Sequence, residues 1–301
     1  MSQRALAVLQ ASAEVECREI PVGGLAAELA SYDAVWIRLA HKLGADAFVA
    51  AGRCKAIACP VTGLDHLDLS AAAAAKVQIV SLKGEVEFLK TVRATAELTL
   101  ALMLSLLRQV PQAAASVKAG QWARDLFRGH ELYGKTVGLV GVGRLGAIVA
   151  GYLRAFGARV VGYDIRSDFP EGVERCDALE ELLGMSDIVS IHVSLDARTK
   201  GMFGVAQFAA MRPGSWFVNT ARGPVVDEAA LLTALEKGQL AGAALDVLTG
   251  EPDVDARHPV VRYAQAHPNL LVVPHIGGNT FESFEKTEVF IANKLIEALR
   301  G

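Results

Sequence analysis

A chain of 301 residues, 52% of them hydrophobic, has material for two domains with a core each. Its net charge of −3, from 30 basic and 33 acidic side chains without a long basic run, gives no electrostatic footing for nucleic acid or a membrane surface, so small diffusible partners are expected. Four scattered cysteines, Cys17, Cys54, Cys59 and Cys176, form no C-x-x-C pair, which argues against a metal site or a disulfide framework and for reduced thiols in a cytoplasmic protein.

The opening M-S-Q-R-A-L-A-V-L-Q carries too short an apolar run for a signal peptide. Apolar runs at Ala5 to Leu9, Ala34 to Leu39, Ala56 to Cys59 and Val77 to Ser81 read as strands separated by alanine-rich helical segments. That alternation predicts a parallel sheet with helices on both faces. From Glu87 to Val110 the pattern becomes one long helix, ended by Pro111, and its apolar core, Leu98 to Leu107, is far below membrane-spanning length. The mixed segment from Gln112 to Gly134 holds Trp122, Phe127 and Tyr133, available for local packing or for a second subunit.

The stretch from Thr136 to Asp164 is the most informative. Thr136 to Val140 is a short apolar run of the kind found in parallel strands buried on both faces. Gly141, Gly143 and Gly146 follow in G-x-G-x-x-G spacing with Arg144 and Leu145 between them, then comes a helix, then a second strand ending in Asp164. The first glycine permits a tight turn, the second lets a pyrophosphate approach the backbone, and the third lets helix pack on strand. An acid at the end of the second strand accepts hydrogen bonds from a ribose and repels a 2′-phosphate, so NAD is expected over NADP, with Arg166 two residues on as the opposing feature.

Further strands are predicted at Ile188 to Val193, Ser215 to Thr220, Ala243 to Val247 and Leu270 to Pro274, making six in this region. Helices are predicted over Asp177 to Leu183, Val205 to Met211 and Asp227 to Lys237, the last with Asp227 as N-cap. The final helix, Thr280 to Leu299, is expected to rejoin the first domain. The expected division is a discontinuous substrate-binding domain, 1–90 and 280–301, around a cofactor domain, 91–279. The fold class is α/β, with two doubly wound parallel-sheet domains, a Rossmann cofactor domain inserted in a flavodoxin-like substrate domain.

Three clusters stand at strand carboxyl ends, where ligands bind in open α/β sheets. They are Asn219 to Gly223, the run from Ala244 through Asp246 to Glu251 and Pro252, and Pro274 to Gly278. Arg222 offers a planar fork for a carboxylate and a carbonyl oxygen. His275 can move one proton near neutral pH, and a carboxylate such as Glu251 can orient it. Singly each has a plain structural reading, as a surface charge, a loop histidine and a turn residue. Together, beside a nicotinamide, they are what reduction of a 2-oxo acid requires.

Here the chain resembles the D-isomer-specific 2-hydroxyacid dehydrogenases, which include phosphoglycerate, hydroxypyruvate, D-lactate, formate and phosphite dehydrogenases. The likeness is strongest from Glu131 to Gly278: Glu131-Leu132 with Gly134 to Gly138, Ser186 to Val189 with His192, Asn219 to Gly223, Asp246, Glu251 and His275. Gly63, Asp65 and Asp68 echo the family's G-x-D pattern, and Ala96-Glu97 its alanine-glutamate. The resemblance implies NAD as cofactor, with no metal, and a small carboxylate as substrate. It implies Arg222, Glu251 and His275 as catalytic residues, and Val61, Thr62, Gly63 and Arg222 on the substrate. It also implies Gly141, Gly143, Arg144, Leu145, Gly146, Asp164, His192, Thr220, Ala221, Asp246, His275 and Gly277 at the cofactor, and a homodimer paired through the segment from Gln112 to Tyr133. Two other readings of the same resemblance stay open: oxidation of formate or phosphite, and a non-catalytic NAD-sensing protein.

Three departures from the family concern the substrate. Ser194 stands where the family often has proline, and Pro60 in the loop Cys59 to Gly63 removes one backbone donor. The segment from Lys83 to Arg93 is longer than the family's by about one helical turn. It presents Lys83, Lys90 and Arg93 either to an anionic substrate group or to solvent.

Overall fold

A computed structural model of the chain describes residues 1–21, 23–39, 41–49 and 51–300. They form two compact units, Met1–Val92 with Asn279–Gly301, and Arg93–Gly278. The first unit opens with helix α1 (Gln3–Gln10), where a strand is expected from Ala5 to Leu9. A five-residue apolar run suits either state. Ser2 decides it: the Oγ accepts the Ala5 N–H at 3.3 Å, an N-cap, and Ala5 and Leu9 then fall four residues apart on one buried face. The unit continues through α2 (Leu25–Glu28), β1 (Ala34–Trp36), α3 (Ala45–Val49), β2 (Ala56–Cys59), α4 (Leu69–Ala74), β3 (Gln78–Ser81) and α5 (Val86–Leu89).

The three strands pair in parallel in the order β1-β2-β3. Alternate residues of β2 feed two cores, Ile57 and Cys59 on the face with Leu25, Phe48 and Ala72, Ala56 and Ala58 on the face with Ala5 and Leu9. Asp68 caps α4 by accepting the N–H groups of Ser70 and Ala71, so this part of the G-x-D-x-x-D echo is a structural cap.

The expected long helix is interrupted. After α5 the chain breaks and restarts at Arg93 as α6 (Ala94–Arg108), which ends where Gln109 takes a left-handed backbone (φ 52°). Pro111 then lies in the first turn of α7 (Val110–Lys118), where its missing N–H has no helical partner to lose. The second unit goes on through β4 (Thr136–Val140), α8 (Arg144–Ala155), β5 (Arg159–Tyr163), β6 (Glu174–Arg175), α9 (Leu179–Met185), β7 (Ile188–Ile191), α10 (Val205–Ala210), β8 (Ser215–Asn219), α11 (Glu228–Glu236), β9 (Leu240–Leu245), α12 (Pro259–Ala266) and β10 (Leu270–Val272). As expected, Asp227 caps α11.

Seven strands, all in parallel, lie in the order β10-β9-β8-β7-β4-β5-β6. The order reverses between β4 and β7, the switch point where a doubly wound sheet opens a crevice. The strand beyond the expected six is β6, two exposed polar residues tied to β5 by the Arg159–Glu174 ion pair at 2.7 Å, with no apolar run to betray it. Val137 and Leu139 face a core shared with α6 and α8, and Val189, Phe217 and Leu245 face the core of α9 to α12. Phe203, Phe208 and Phe217 meet there with ring centroids 5.2 to 5.9 Å apart. The last helix, α13 (Phe281–Arg300), belongs to the first unit, where Ile291, Ala292 and Leu295 fill the core beside α1. Within this helix the fully buried Glu288 carboxylate is held by the Ser2 N–H and by Arg38, at 3.2 Å. Among the described residues no single helix is long and apolar enough to cross a membrane.

Candidate active site

The turn from β4 into α8 is shaped by what its glycines exclude. A Cβ on Gly146 would lie 2.2 Å from the Gly141 carbonyl oxygen, and one on Gly141, whose φ is +95°, would lie 2.8 Å from the His192 backbone. Gly143, the N-cap of α8, is different: a Cβ there would point into open space, and no side chain caps the helix. An uncapped helix start with an open approach over a glycine fits a pyrophosphate. Leu145 packs its side chain into the core beneath, and Arg144 is half-buried beside the turn.

Asp164 follows β5 and reaches back over this turn. Its Oδ2 accepts the Val142 N–H at 2.9 Å and its Oδ1 accepts the Arg166 N–H at 3.0 Å. His192 follows β7, and its Nε2 shares a hydrogen bond with Ser190 Oγ at 3.0 Å. Burial pushes its pKa down to about 4, so the ring is neutral. Its buried Nδ1 has no partner, a polar atom that a ligand at this turn can satisfy.

On the far side of the switch point, β8 and β9 deliver the chemical groups. Asn219 is buried and ties its own loop: Oδ1 accepts the Ala221 N–H at 2.9 Å and Nδ2 donates to the Arg222 carbonyl at 3.0 Å. Thr220 pairs its hydroxyl with Thr99 of α6 at 2.8 Å. A Cβ on Gly223 would lie 2.2 Å from the Leu248 carbonyl carbon. The Arg222 loop is thus pressed against the backbone that leads to Glu251.

Asp246 ends β9 almost fully buried. Its two carboxylate oxygens accept the N–H groups of Ile276 and Gly277 at 2.7 and 2.9 Å, while its own carbonyl accepts the His275 N–H at 2.8 Å. Burial raises its pKa, against the lowering effect of those two N–H bonds and of His275. These bonds hold His275 in a left-handed backbone (φ 52°), a conformation of modest strain for a non-glycine residue. In that pose His275 Nδ1 lies 2.9 Å from Glu251 Oε1. A carboxylate can only accept, so Nδ1 donates to Glu251 and Nε2, the other ring nitrogen, points away from it. Gly277 passes so close to Asp246 that a Cβ would meet Oδ2 at 2.8 Å, and Thr95 at 3.1 Å.

The structure therefore brings Arg222, Glu251, His275, Asp246, Thr220, Ala221 and Gly277 together at the ends of β8 to β10, and Gly141 to Gly146, Asp164 and His192 around β4. Thr95 and Thr99 support this arrangement and carry no motif of their own, while Asn219 opens the cluster that ends at Gly223. Val61, Thr62 and Gly63 lie in the first unit. There the Val61 N–H is taken by the Cys59 carbonyl at 2.8 Å, so beside Pro60 a second backbone donor of that loop is turned inward. Cys59 is buried, its thiol pushed up to about 12, and approaches His66 Nε2 at 3.4 Å. Of the three cations in the lengthened segment, Lys90 pairs with Glu87 at 2.7 Å, Lys83 is exposed, and Arg93 stands at the N-terminus of α6.

Residues 100–277 match the family model described as D-isomer specific 2-hydroxyacid dehydrogenase, NAD binding domain. The D-3-phosphoglycerate dehydrogenase of Rattus norvegicus is 37% identical over 293 residues, 95% of this chain and 52% of that protein. The chain thus spans about half the length of the curated relatives it matches. A solved structure from Thermus thermophilus superimposes with a TM-score of 0.88 at 34% identity, covering 100% of this chain and 94% of that one. A glyoxylate reductase from Paecilomyes thermophila superimposes at 0.86 with 29% identity, covering 99% and 92%.

Proposed function

The chain belongs to the D-isomer specific 2-hydroxyacid dehydrogenase family, and we propose that it is an NAD-dependent oxidoreductase interconverting a small 2-oxo acid and the D-2-hydroxy acid. The observation that carries this reading is the Glu251–His275 pair at 2.9 Å, on a segment whose Leu248 backbone presses on the Arg222–Gly223 loop. When bound, NADH would supply a hydride for the carbonyl carbon, and NAD would accept one in the reverse direction. His275 Nε2 gives the carbonyl oxygen its proton and recovers it on oxidation. Arg222 holds the substrate carboxylate in its guanidinium fork and polarises the carbonyl. Glu251 fixes the imidazole tautomer and supports the positive charge, and Asp246 sets the backbone that aims it.

Gly141 to Gly146 and His192 are assigned to the cofactor phosphates, Asp164 to the adenosine ribose, and Thr220, Ala221, Asp246 and Gly277 to the nicotinamide end. Val61, Thr62 and Gly63 are assigned to the substrate. The exposed apolar side chains of Val110, Val117, Trp122, Leu126 and Tyr133 support a homodimer through this segment. Four free cysteines, three of them buried, suit the reducing cytoplasm.

The test follows NADH absorbance with a panel of 2-oxo acids, phosphorylated and sugar-derived ones included. His275→Ala should lower kcat in both directions by roughly a hundredfold or more with NADH binding retained. An active His275→Ala protein overturns the assignment. Turnover of formate or phosphite alone would move the substrate class, and NADH binding without any turnover would favour a binding protein.

A further inference from the structure

Between the end of β9 and Glu251 the chain crosses two consecutive peptides that three other segments hold. From the side of Arg222, Gly223 lies so close that a Cβ on it would stand 2.2 Å from the Leu248 carbonyl carbon and 2.5 Å from the Thr249 nitrogen. The Thr249 N–H donates to Glu228 Oε1 at 2.6 Å, and the Thr249 carbonyl oxygen lies 3.2 Å from His258 Nε2. A carbonyl can only accept, so Nε2 carries the proton of that bond. The same Nε2 lies 3.5 Å from Glu228 Oε2, and the two side chains are only 16% and 17% exposed. Neither is engaged in capping its own helix: Asp227 caps α11, and His258, which precedes Pro259 at the start of α12, makes no capping bond. Among the described residues the buried Nδ1 of His258 has no partner, which costs stability, so the ring is placed for what its Nε2 holds. Thr249 is exposed, and both groups reach for its backbone. Gly250 follows with a left-handed backbone (φ 89°), and then comes Glu251. A glycine gives the segment no stiffness of its own, so whatever holds Thr249 sets where Glu251 begins.

Resting on the reading of Glu251 and His275 as the pair that moves the proton, we propose that Glu228 and His258 are positioning residues of the reaction: they clasp Thr249 against Gly223 and so fix Glu251 and Arg222 relative to each other. The clasp works through hydrogen bonds to the backbone alone. Without it Thr249 can withdraw from Gly223, which shifts Glu251 and loosens the Arg222 loop in one movement. A displacement of about 1 Å at reacting groups is enough to slow catalysis by roughly a hundredfold.

The experiment compares Glu228→Ala, Glu228→Gln, His258→Leu and the double variant Glu228→Ala with His258→Leu against the natural protein. It uses three readouts: steady-state reduction of the 2-oxo acid turned over fastest by the natural protein, NADH titration by fluorescence, and proton NMR of the Nδ1 hydrogen shared by His275 and Glu251, assigned by its absence from His275→Ala. Glu228→Ala and His258→Leu should each lower kcat by roughly tenfold or more, keep NADH affinity within about twofold, and weaken or remove the shared proton signal. Glu228→Gln keeps an oxygen for the Thr249 N–H and should stay within about threefold of the natural kcat. The double variant should be little slower than the slower single one, because both groups act on one residue. Mere fastening of a loop gives a different result, a lower melting temperature with kcat and the shared proton unchanged, and that result overturns the proposal. A Glu228→Gln protein as slow as Glu228→Ala also overturns it, since charge and not the bond would then be what counts. A natural protein that reduces no 2-oxo acid removes the reading of the reaction instead, and the NMR signal then decides by itself whether the clasp holds Glu251 on His275.

Discussion

Alanine at Gly143 and alanine at Gly146 should separate ligand binding from folding within a single turn. The two glycines are three residues apart but face opposite conditions. The Gly146→Ala methyl would begin 2.2 Å from the Gly141 carbonyl oxygen, and ordinary contact starts near 3.4 Å, so α8 and the end of β4 must part by about 1 Å. Overpacking of that kind costs about 1 to 3 kcal/mol, a fall of roughly 2 to 12 °C in the melting temperature for a unit of this size. The Gly143→Ala methyl meets nothing within 4 Å, and the residue has an extended backbone that alanine tolerates. Its cost to folding should be a few tenths of a kcal/mol, the ordinary loss at an N-cap. It fills the space over which a pyrophosphate approaches, and NADH affinity should fall by about tenfold or more, on the order of 1.4 kcal/mol. Thermal unfolding without cofactor and NADH titration by fluorescence read the two effects separately. If Gly143→Ala unfolds early, or binds NADH as well as the natural protein, the cradle has been misread.

Gly223→Ala should lower kcat/KM by roughly a hundredfold, since its methyl would meet the Leu248 backbone at 2.2 Å and force Arg222 away from the strand leading to Glu251; steady-state rates that stay within threefold would refute this. His192, neutral in the fold with a pKa of about 4, makes no pH-dependent demand above about pH 6.5, where it is neutral folded or unfolded. As pH falls below that value only the unfolded chain gains the proton, so about 2 kcal/mol of stability should be lost between pH 6.5 and 5. Denaturant unfolding at the two pH values should show that loss in the natural protein, and a smaller one in His192→Gln. Trp122→Ser combined with Leu126→Ser should convert a dimer into a monomer at micromolar protein by light scattering, and a natural protein already monomeric would contradict the pairing surface.

The glycine turn was legible because its chemistry is written in residue types: only glycine tolerates the approach of Gly146 to Gly141, and a strand, a helix and an acid flank it in fixed order. Arg222, Glu251 and His275 were legible for a related reason, since strand carboxyl ends place ligand groups and each stands just beyond one. Less visible were elements decided by single contacts. One serine hydroxyl caps Ala5 to Leu9 as helix, and β6 is two polar residues paired to Val161 and Gly162 at a sheet edge, with no apolar run of its own. The helix α12 was not predicted, although Pro259 stands in its first turn and Val260 and Tyr263 bury its inner face. Thr99 meets Thr220 and Gly223 meets Leu248 across long separations in sequence, and no local pattern records such partners.

Residues that carry function on loops usually belong to the parts of a protein that open most readily. The Asp246 carboxylate reverses that expectation for the segment bearing His275. To expose the amides of Ile276 and Gly277 the chain must release both oxygens of a buried acid, and with them the end of a strand inside the sheet. Deuterium uptake at those two amides should therefore be as slow as in β9 itself and far slower than at Asn279, which follows them on the exposed side. The backbone that carries the imidazole is then set by the fold itself and needs no ligand to order it.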